Sequence, residues 1–252
     1  MRLTIIIMLA LCCGWVAAHA DLSEETASAN ALSGVTALSF SPADRILSPL
    51  VLGSGTVFTY HLPFGDGDTQ VWGFHNGSRL SIGHSGFGVS WLSHPDYLWR
   101  DHYLSYALGS RDFALGYTQH LLYESFSSGE SYYTWSGDLG LGFYGGDYGS
   151  EVRWLRIGSE DAQWHFTAIT YLSEYSSIAT DYVYQEHGKD SVRAASSIGI
   201  SDLFAIQTSW QSDPPRFGFG TRLKLSYGTF MYAVRTHPEM GLSHSVDVGF
   251  TW

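Results

Sequence analysis

The chain has 252 residues, a formal net charge of −11 and 15% charged residues, and a further 15% are aromatic. The acidic balance argues against nucleic acid as a partner, because phosphate backbones are bound by clustered Lys and Arg. The charged fraction is below the roughly 25% of soluble domains, yet no apolar run after residue 20 reaches the about 18 residues of a transmembrane helix. Such a chain can still cross a membrane as a closed β-barrel, which satisfies its backbone polar groups internally.

Residues 1–20 have the pattern of a secretory signal peptide. Arg2 supplies the positive charge, and residues 3–11 form a short apolar stretch. Ala18-His19-Ala20 is a small-residue cleavage site, so we expect cleavage near Ala20.

Cys12 and Cys13 raise the alternative of a lipoprotein signal. Ala10 and Leu11, which precede them, do not form the expected small-residue motif, so ordinary cleavage is preferred. Both cysteines of the sequence then leave with the signal. The mature chain therefore has no thiol for a disulfide, a nucleophile or a metal site.

Residues 21–53 fit no strand pattern, and we predict that they form a plug or a periplasmic arm. The alternative is a disordered tail followed by one turn of helix. Residues 54–252 are predicted to form the barrel.

The predicted barrel rests on period-2 alternation between an apolar face and a polar or glycine face. In one such run, Phe204, Ile206 and Trp210 oppose Ala205 and Gln207. The predicted fold is all-β, a single closed antiparallel transmembrane barrel of about 14 strands, each long enough to cross a membrane when tilted. Strands are expected to start near residues 55, 69, 79, 97, 112, 131, 150, 163, 178, 190, 203, 215, 227 and 243. The number is 12 if the weak runs near 69 and 178 are loops.

Turn residues separate these runs. Asn76-Gly77 predicts a two-residue hairpin. The apolar face changes phase between Leu80 and Phe87, which predicts a bulge near residues 84–86. Residues 65–68, Gly-Asp-Gly-Asp, are more consistent with a turn than with a calcium loop, because the remaining oxygen ligands are missing.

The chain ends on a strand with Val246, Val248, Phe250 and Trp252 on one face and Asp247 on the other. An amphipathic strand of a soluble sandwich would give the same local pattern. A final aromatic on such a strand resembles the C-terminal signature of bacterial outer-membrane proteins. We expect this strand to close the barrel by pairing with the first strand near residues 55–62.

A longer stretch near the C-terminus comprises residues 214–220 and 232–245, which include Tyr-Ala-Val-Arg-Thr-His-Pro-Glu-Met-Gly-Leu-Ser-His. This stretch resembles small barrels related to the FadL-type fatty-acid transporters and the PorV-type barrels of type IX secretion. The resemblance implies that His237, Pro238, Glu239 and His244 belong to the connection between the last two strands. Met240 stands where the relatives have Leu.

A second resemblance to this class lies in Phe40-Ser41-Pro42-Ala43. It implies that Phe40 and Pro42 mark the point at which the chain passes from inside the barrel into the first strand. Ser41 departs from the Asn of the relatives.

Charged residues on the polar faces are predicted to face the lumen. The cations are Arg216, Arg222 and Lys224; the acids are Asp112, Glu124, Asp138 and Asp247. Either the cations attract an anionic solute, or they pair with these acids across a filled lumen. Pairing is favoured, because buried charges need partners.

Catalysis is not expected. Ser243 and His244 adjoin in sequence and Asp247 is near, but adjacent strand residues point to opposite faces. The His, Asp and Glu residues show no metal-ligand spacing, and no cofactor is predicted.

The sequence therefore predicts an outer-membrane barrel that binds or passes small hydrophobic molecules, with a lateral exit at a kinked strand. The alternative is a non-conducting scaffold that docks a partner in secretion or surface display. Expected partners are outer-membrane lipids, the barrel-assembly machinery, a hydrophobic small molecule and, for the alternative, a secretion-system component.

Overall fold

A computed structural model describes residues 26–39, 41–65, 67–110 and 112–250, and within them fourteen antiparallel strands close into one barrel. The strands are β1 Gly55–Leu62, β2 Gln70–Arg79, β3 His84–His94, β4 Tyr97–Gly109, β5 Phe113–Phe126, β6 Ser131–Gly145, β7 Tyr148–Ile157, β8 Gln163–Ser173, β9 Ser176–Gln185, β10 Ser191–Gly199, β11 Phe204–Gln211, β12 Arg216–Lys224, β13 Thr229–His237 and β14 Gly241–Phe250. The predicted closed all-β barrel is confirmed, with 14 strands rather than 12.

The first and last strands close the barrel, as predicted. β1 and β14 pair antiparallel, from Thr56 opposite Phe250 to Leu62 opposite His244. Each other strand pairs with its two neighbours in sequence, so the ring has no open edge among the described residues.

Alternation separates an outer apolar face from an inner polar face. On β12, Phe217 and Phe219 are about half exposed, whereas Arg216 and Gly218 between and beside them are buried. On β14, Val248 and Phe250 face outward and Asp247 faces inward. This outer band is the surface that a barrel presents to lipid.

Two local predictions around β2 and β3 are wrong. Asn76-Gly77 lies inside β2, and the turn comes later, where the Leu80 N–H donates to the Gly83 carbonyl. A side chain at Gly77 would press against the Gly53 carbonyl, so this glycine accommodates a neighbouring segment rather than a turn. The register from Arg79 opposite His84 onward is regular, so residues 84–86 form no bulge.

Register shifts occur elsewhere, between β6 and β7 at Gly137/Leu139 and between β8 and β9 at Tyr171/Ser173. Because the register of β3 is regular, the bulge from which we predicted a lateral exit at this strand is absent.

The two ends of the barrel differ in their connections. The terminal rim, where Gly55 begins β1 and Phe250 ends β14, has turns of at most four residues. The opposite end, the distal rim, carries the longest loop, residues 63–69. It also carries five-residue loops at 158–162 and 186–190.

Residues 26–39 and 41–54, the N-terminal segment, lie within the ring of strands. They contain helix α1, Ala27–Leu32, and the 3-10 helices Thr36–Leu38 and Pro42–Ile46; a further 3-10 helix, Pro63–Gly65, follows β1. The Thr26 hydroxyl caps α1 by accepting from the Ala29 N–H. No described helix is long and apolar enough to cross a membrane.

Candidate functional site: the barrel interior

The N-terminal segment packs against the inner faces of two separate groups of strands. Ala27 and Ala31 of α1 contact Met231 and Ala233 on β13. Leu32, Val35 and Leu38 form a second cluster, whose barrel-wall members are Ile169, Ala179 and Ala195. These residues are at most 4% exposed, so both walls and the segment form one interior.

Hydrogen bonds fix α1 to the last strand. The Asp247 carboxylate accepts from the Ala27 N–H at 2.9 Å, and the Asn30 amide donates to the Ser245 hydroxyl at 2.8 Å. Ser245 also lies 2.7 Å from His61 Nδ1 on β1. The barrel seam and the first helix are thus held by one polar network.

Asp44 and Arg45 anchor the middle of the segment, and both are fully buried. The Asp44 carboxylate accepts hydrogen bonds from the hydroxyls of Thr26 and Ser39. Burial raises the pKa of Asp44 above its ordinary range, against the effect of these hydrogen bonds. Arg45 donates to the Gly53 carbonyl at 3.0 Å, and burial lowers its pKa.

Arg153 on β7 connects the barrel wall with the segment. Its Nη1 donates to the Thr36 hydroxyl at 2.5 Å, and its Nη2 lies 3.4 Å from the Asp181 carboxylate. The Glu151 carboxylate lies 3.7 Å from Arg153 Nε and accepts from the Tyr144 hydroxyl at 2.7 Å. The buried cation therefore has two carboxylates nearby, as burial of charge requires.

A second buried polar group joins β4, β5 and β6. His120 lies between two carboxylates, 3.0 Å from Asp101 and 3.1 Å from Asp138. Asp138 also accepts the Arg156 N–H at 2.7 Å, next to the irregular pairing of β6 and β7.

Two cavities flank the segment on the β4–β10 side. The distal cavity, about 420 Å³, reaches the loop at residues 158–161. Its walls combine apolar and ionisable side chains from the strands and the segment: Ile46, Leu47, Trp99, Leu122, Leu155, Asp101, Glu124, His120, Asp138, Arg153 and Arg193. The terminal cavity, about 500 Å³, lies at the other rim and is lined by Thr36, Ala37, Ser48, Leu50, Asp112, Tyr144, Glu151 and Tyr171, among others.

The structure places most of the predicted lumen residues on inner faces. Asp138, Asp247 and Arg216 are buried there, and Arg222 is partly buried. Glu124 accepts from the Tyr97 hydroxyl at 2.5 Å. Asp138 contacts His120 and the Arg156 N–H, the partly buried Glu124 contacts Tyr97, and Asp247 contacts the Ala27 N–H.

Two predicted lumen residues lie at the terminal rim instead of deep in the barrel. Lys224 is exposed at the end of β12. Asp112 is exposed just before β5 and borders the terminal cavity.

Pro42 is buried and begins its 3-10 helix, whereas Phe40 lies outside the described residues. The chain then reaches β1 through residues 47–54. The role assigned to Phe40 and Pro42 at the entry to the first strand stays a prediction.

The C-terminal motif surrounds the turn between β13 and β14. His237 ends β13, and its Nδ1 accepts from the backbone N–H groups of Glu239 and Met240 at 3.3 and 3.2 Å. Pro238 and Glu239 lie in the turn itself. His244 faces outward and lies 2.9 Å from the Tyr232 hydroxyl, and Trp252 lies outside the described residues.

No catalytic set forms around the serines near the C-terminus. Ser243 faces inward, where its hydroxyl accepts the Phe64 N–H, while His244 faces outward. Among the described residues, no group of three or more His, Cys, Asp or Glu side chains is arranged to hold a metal.

Sequence reasoning missed most of the buried network: Asp44, Arg45, His61, His75, Asp101, His120, Glu151, Arg153, His165, Asp181, Arg193 and Arg235. One signal was available, since Glu151 and Arg153, like His165 and Thr167, share the inward parity of their strands. Asp44 and Arg45 carry no such signal, because they lie outside any strand.

Known proteins supply a fold but no family. No family model matches the sequence, and no curated protein matches it. The toluene transporter TbuX of Ralstonia pickettii has a similar fold, with a TM-score of 0.64 and 9% identity over 84% of this chain and 94% of that one. The outer membrane protein Omp33 of Acinetobacter baumannii has a TM-score of 0.55 and 6% identity over 79% of this chain and 97% of that one. The chain thus has the fold of outer-membrane β-barrels.

Proposed function

We propose that this chain is an outer-membrane barrel of FadL-like type that lets small, mainly hydrophobic molecules enter through its interior. The distal cavity is the main support for this proposal. Its wall includes the apolar side chains of Trp99, Leu122 and Leu155. The fold shared with a toluene transporter adds support, as does the FadL-type resemblance of the C-terminal motif.

Uptake by intact Gram-negative cells tests this proposal, because phospholipid vesicles alone pass hydrophobic molecules unaided. Cells that express the chain are compared with empty-vector cells for uptake of labelled toluene and a labelled medium-chain fatty acid. Leu122→Trp fills the distal cavity and is expected to reduce uptake. Leu121→Trp, on the outward side of the same strand, is the matched control. Equal uptake by expressing and empty cells would contradict the proposal.

The location and the signal peptide belong to the same proposal. We expect the mature protein in the outer membrane, with an N-terminus near Asp21. Mass spectrometry of protein from purified outer membranes measures both. An intact residue 1–20 segment, or recovery in the soluble periplasm, would contradict it.

A non-conducting scaffold that docks a secretion-system partner is the second candidate. The observation in its favour is the close packing of the N-terminal segment against several strands. A stoichiometric partner in detergent pull-downs, together with no uptake above empty cells, would favour this function over transport.

A further inference from the structure

The distal and terminal cavities are lined by neighbouring residues of both the segment and the barrel wall. Gly34 borders the distal cavity and Thr36 the terminal one. Further along the segment, Leu47 borders the distal cavity and Ser48 the terminal one. On β7, Arg153 borders the distal cavity and Glu151 the terminal one. On both the segment and the wall, therefore, the cavities are one or two residues apart along the chain.

We propose that the two cavities are halves of one axial passage, closed by the contact between Arg153 and Thr36. This contact, the constriction, is the hydrogen bond of 2.5 Å from the β7 guanidinium to the segment hydroxyl. The inference deepens the proposed function by assigning its route, and it replaces the lateral exit that the regular register of β3 removes.

The two sides of the constriction differ in how firmly they are held. Arg153 is kept in place by Asp181, whose carboxylate also contacts His165 at 2.7 Å and accepts from Thr167 at 2.7 Å. Thr36 belongs to a three-residue 3-10 helix whose N-cap has no side-chain hydrogen bond, and its neighbours Val35 and Leu38 are held against the wall by apolar packing alone, which has no fixed direction. Opening therefore moves the segment and leaves the wall unchanged.

Opening requires a shift of the Thr36 region, not ejection of the whole segment. Helix α1 has separate attachments to β14 through Ala27 and Asn30, and Arg45 donates to the Ser105 hydroxyl on β4 at 3.5 Å. These hold the segment on both sides of Thr36.

Swelling of proteoliposomes in arabinose tests the route independently of the natural substrate. Thr36→Val keeps the side-chain shape and removes the acceptor, and it is expected to raise the swelling rate roughly tenfold, because a hydrogen bond from a charged donor is lost. Thr36→Ser keeps the hydroxyl and is expected to stay at the wild-type rate. Ser209→Ala is the matched control, since it removes the 2.7 Å contact between Ser33 of the segment and Ser209 on β11.

The proposal also requires that the two cavities lie one after the other along the passage, and this is tested in the Thr36→Val variant. Adding Ala37→Trp in the terminal cavity, or Leu122→Trp in the distal one, is expected to abolish the increase, whereas Leu121→Trp on the outer face keeps it. Unchanged swelling of a folded Thr36→Val barrel, an equal increase with Ser209→Ala, or an increase that survives Ala37→Trp would overturn the proposal.

Folding is monitored by the gel shift between boiled and unboiled samples. If Thr36→Val fails to fold, Arg153→Lys replaces it: Lys keeps the charge beside Asp181 but lacks the planar fork, and faster swelling is again expected. If cells take up toluene but none of these variants changes the swelling rate, the route is refuted and the proposed function stands. Faster swelling without toluene uptake supports the route and refutes the proposed substrate class.

Discussion

Buried charges in this barrel are held by hydroxyl, amide and ionic partners on other elements. Arg153 contacts a segment threonine and two wall carboxylates, while Asp44 depends on the hydroxyls of Thr26 and Ser39. Loss of one partner leaves a buried polar group unsatisfied, which costs more than the bond itself contributes. Single substitutions at these positions therefore have large effects.

The buried Asp44 makes the stability of the folded barrel depend on pH. Its pKa in the folded barrel is above its ordinary value of 3.8, so its contribution to stability is greatest below that value and is lost as pH rises through the folded pKa. We expect the free energy of urea unfolding in detergent to fall as the pH rises above about 4, and to fall more steeply in the wild type than in Asp44→Asn. Parallel profiles for the two proteins would refute this.

The alternation of each strand predicts which residues point inward, but not their partners. Asp138 and Asp247 lie on the expected face, yet they contact His120 and the Ala27 backbone, respectively, instead of a predicted cation. Ala27 is 220 residues from Asp247 in sequence. Contacts between residues this far apart in sequence form only when the barrel closes. A local sequence pattern carries no information about them.

The strands themselves were largely predictable, because a strand with one lipid face and one polar face has a strict period of two. Asn76-Gly77 is the instructive exception. The local hairpin preference of this pair is overridden by its pairing with β1 and β3 and by the segment that crosses Gly77. The segment folds against the walls, and its short helices carry little sequence signal of their own.

The fit between segment and wall can be tested at Gly116 on β5. A side chain there would overlap the Pro49 carbonyl oxygen. We expect Gly116→Ala to lower the free energy of unfolding by about 1–3 kcal/mol and to increase proteolysis of the segment. Gly145→Ala, where an added methyl group meets open space, should change stability by less than about 0.5 kcal/mol. Equal effects would show that the segment does not press on β5.

Arginine substitutions on the outer face of β14 test whether this face lies in the apolar band that contacts lipid. Val246→Arg near the middle of the strand is expected to cost about 2–4 kcal/mol, and Leu242→Arg near the distal rim about 0–1 kcal/mol. Urea unfolding in lipid vesicles measures both. Similar small costs at the two positions would argue against a lipid-exposed band here.

On the scale of the whole molecule, the two rims suggest an orientation. Outer-membrane barrels have short periplasmic turns and longer extracellular loops. The terminal rim has the shorter turns, so we assign it to the periplasm, and the distal cavity then faces the cell exterior.

Cysteine labelling tests this orientation, because the only native cysteines are Cys12 and Cys13 in the predicted signal. In intact cells, a membrane-impermeant maleimide is expected to label Ser128→Cys at the distal rim and not Asp147→Cys at the terminal rim. Both should react after cell lysis. The reverse pattern would invert the assignment.

The hydrogen bonds between α1 and β14 have a consequence for biogenesis. The helix is synthesised before its partners Ser245 and Asp247, which follow 215 and 220 residues later in the chain. It lacks these partners until β14 has been made. We therefore expect the segment to pack inside the barrel together with the closure of the β1–β14 pairing, and not before it.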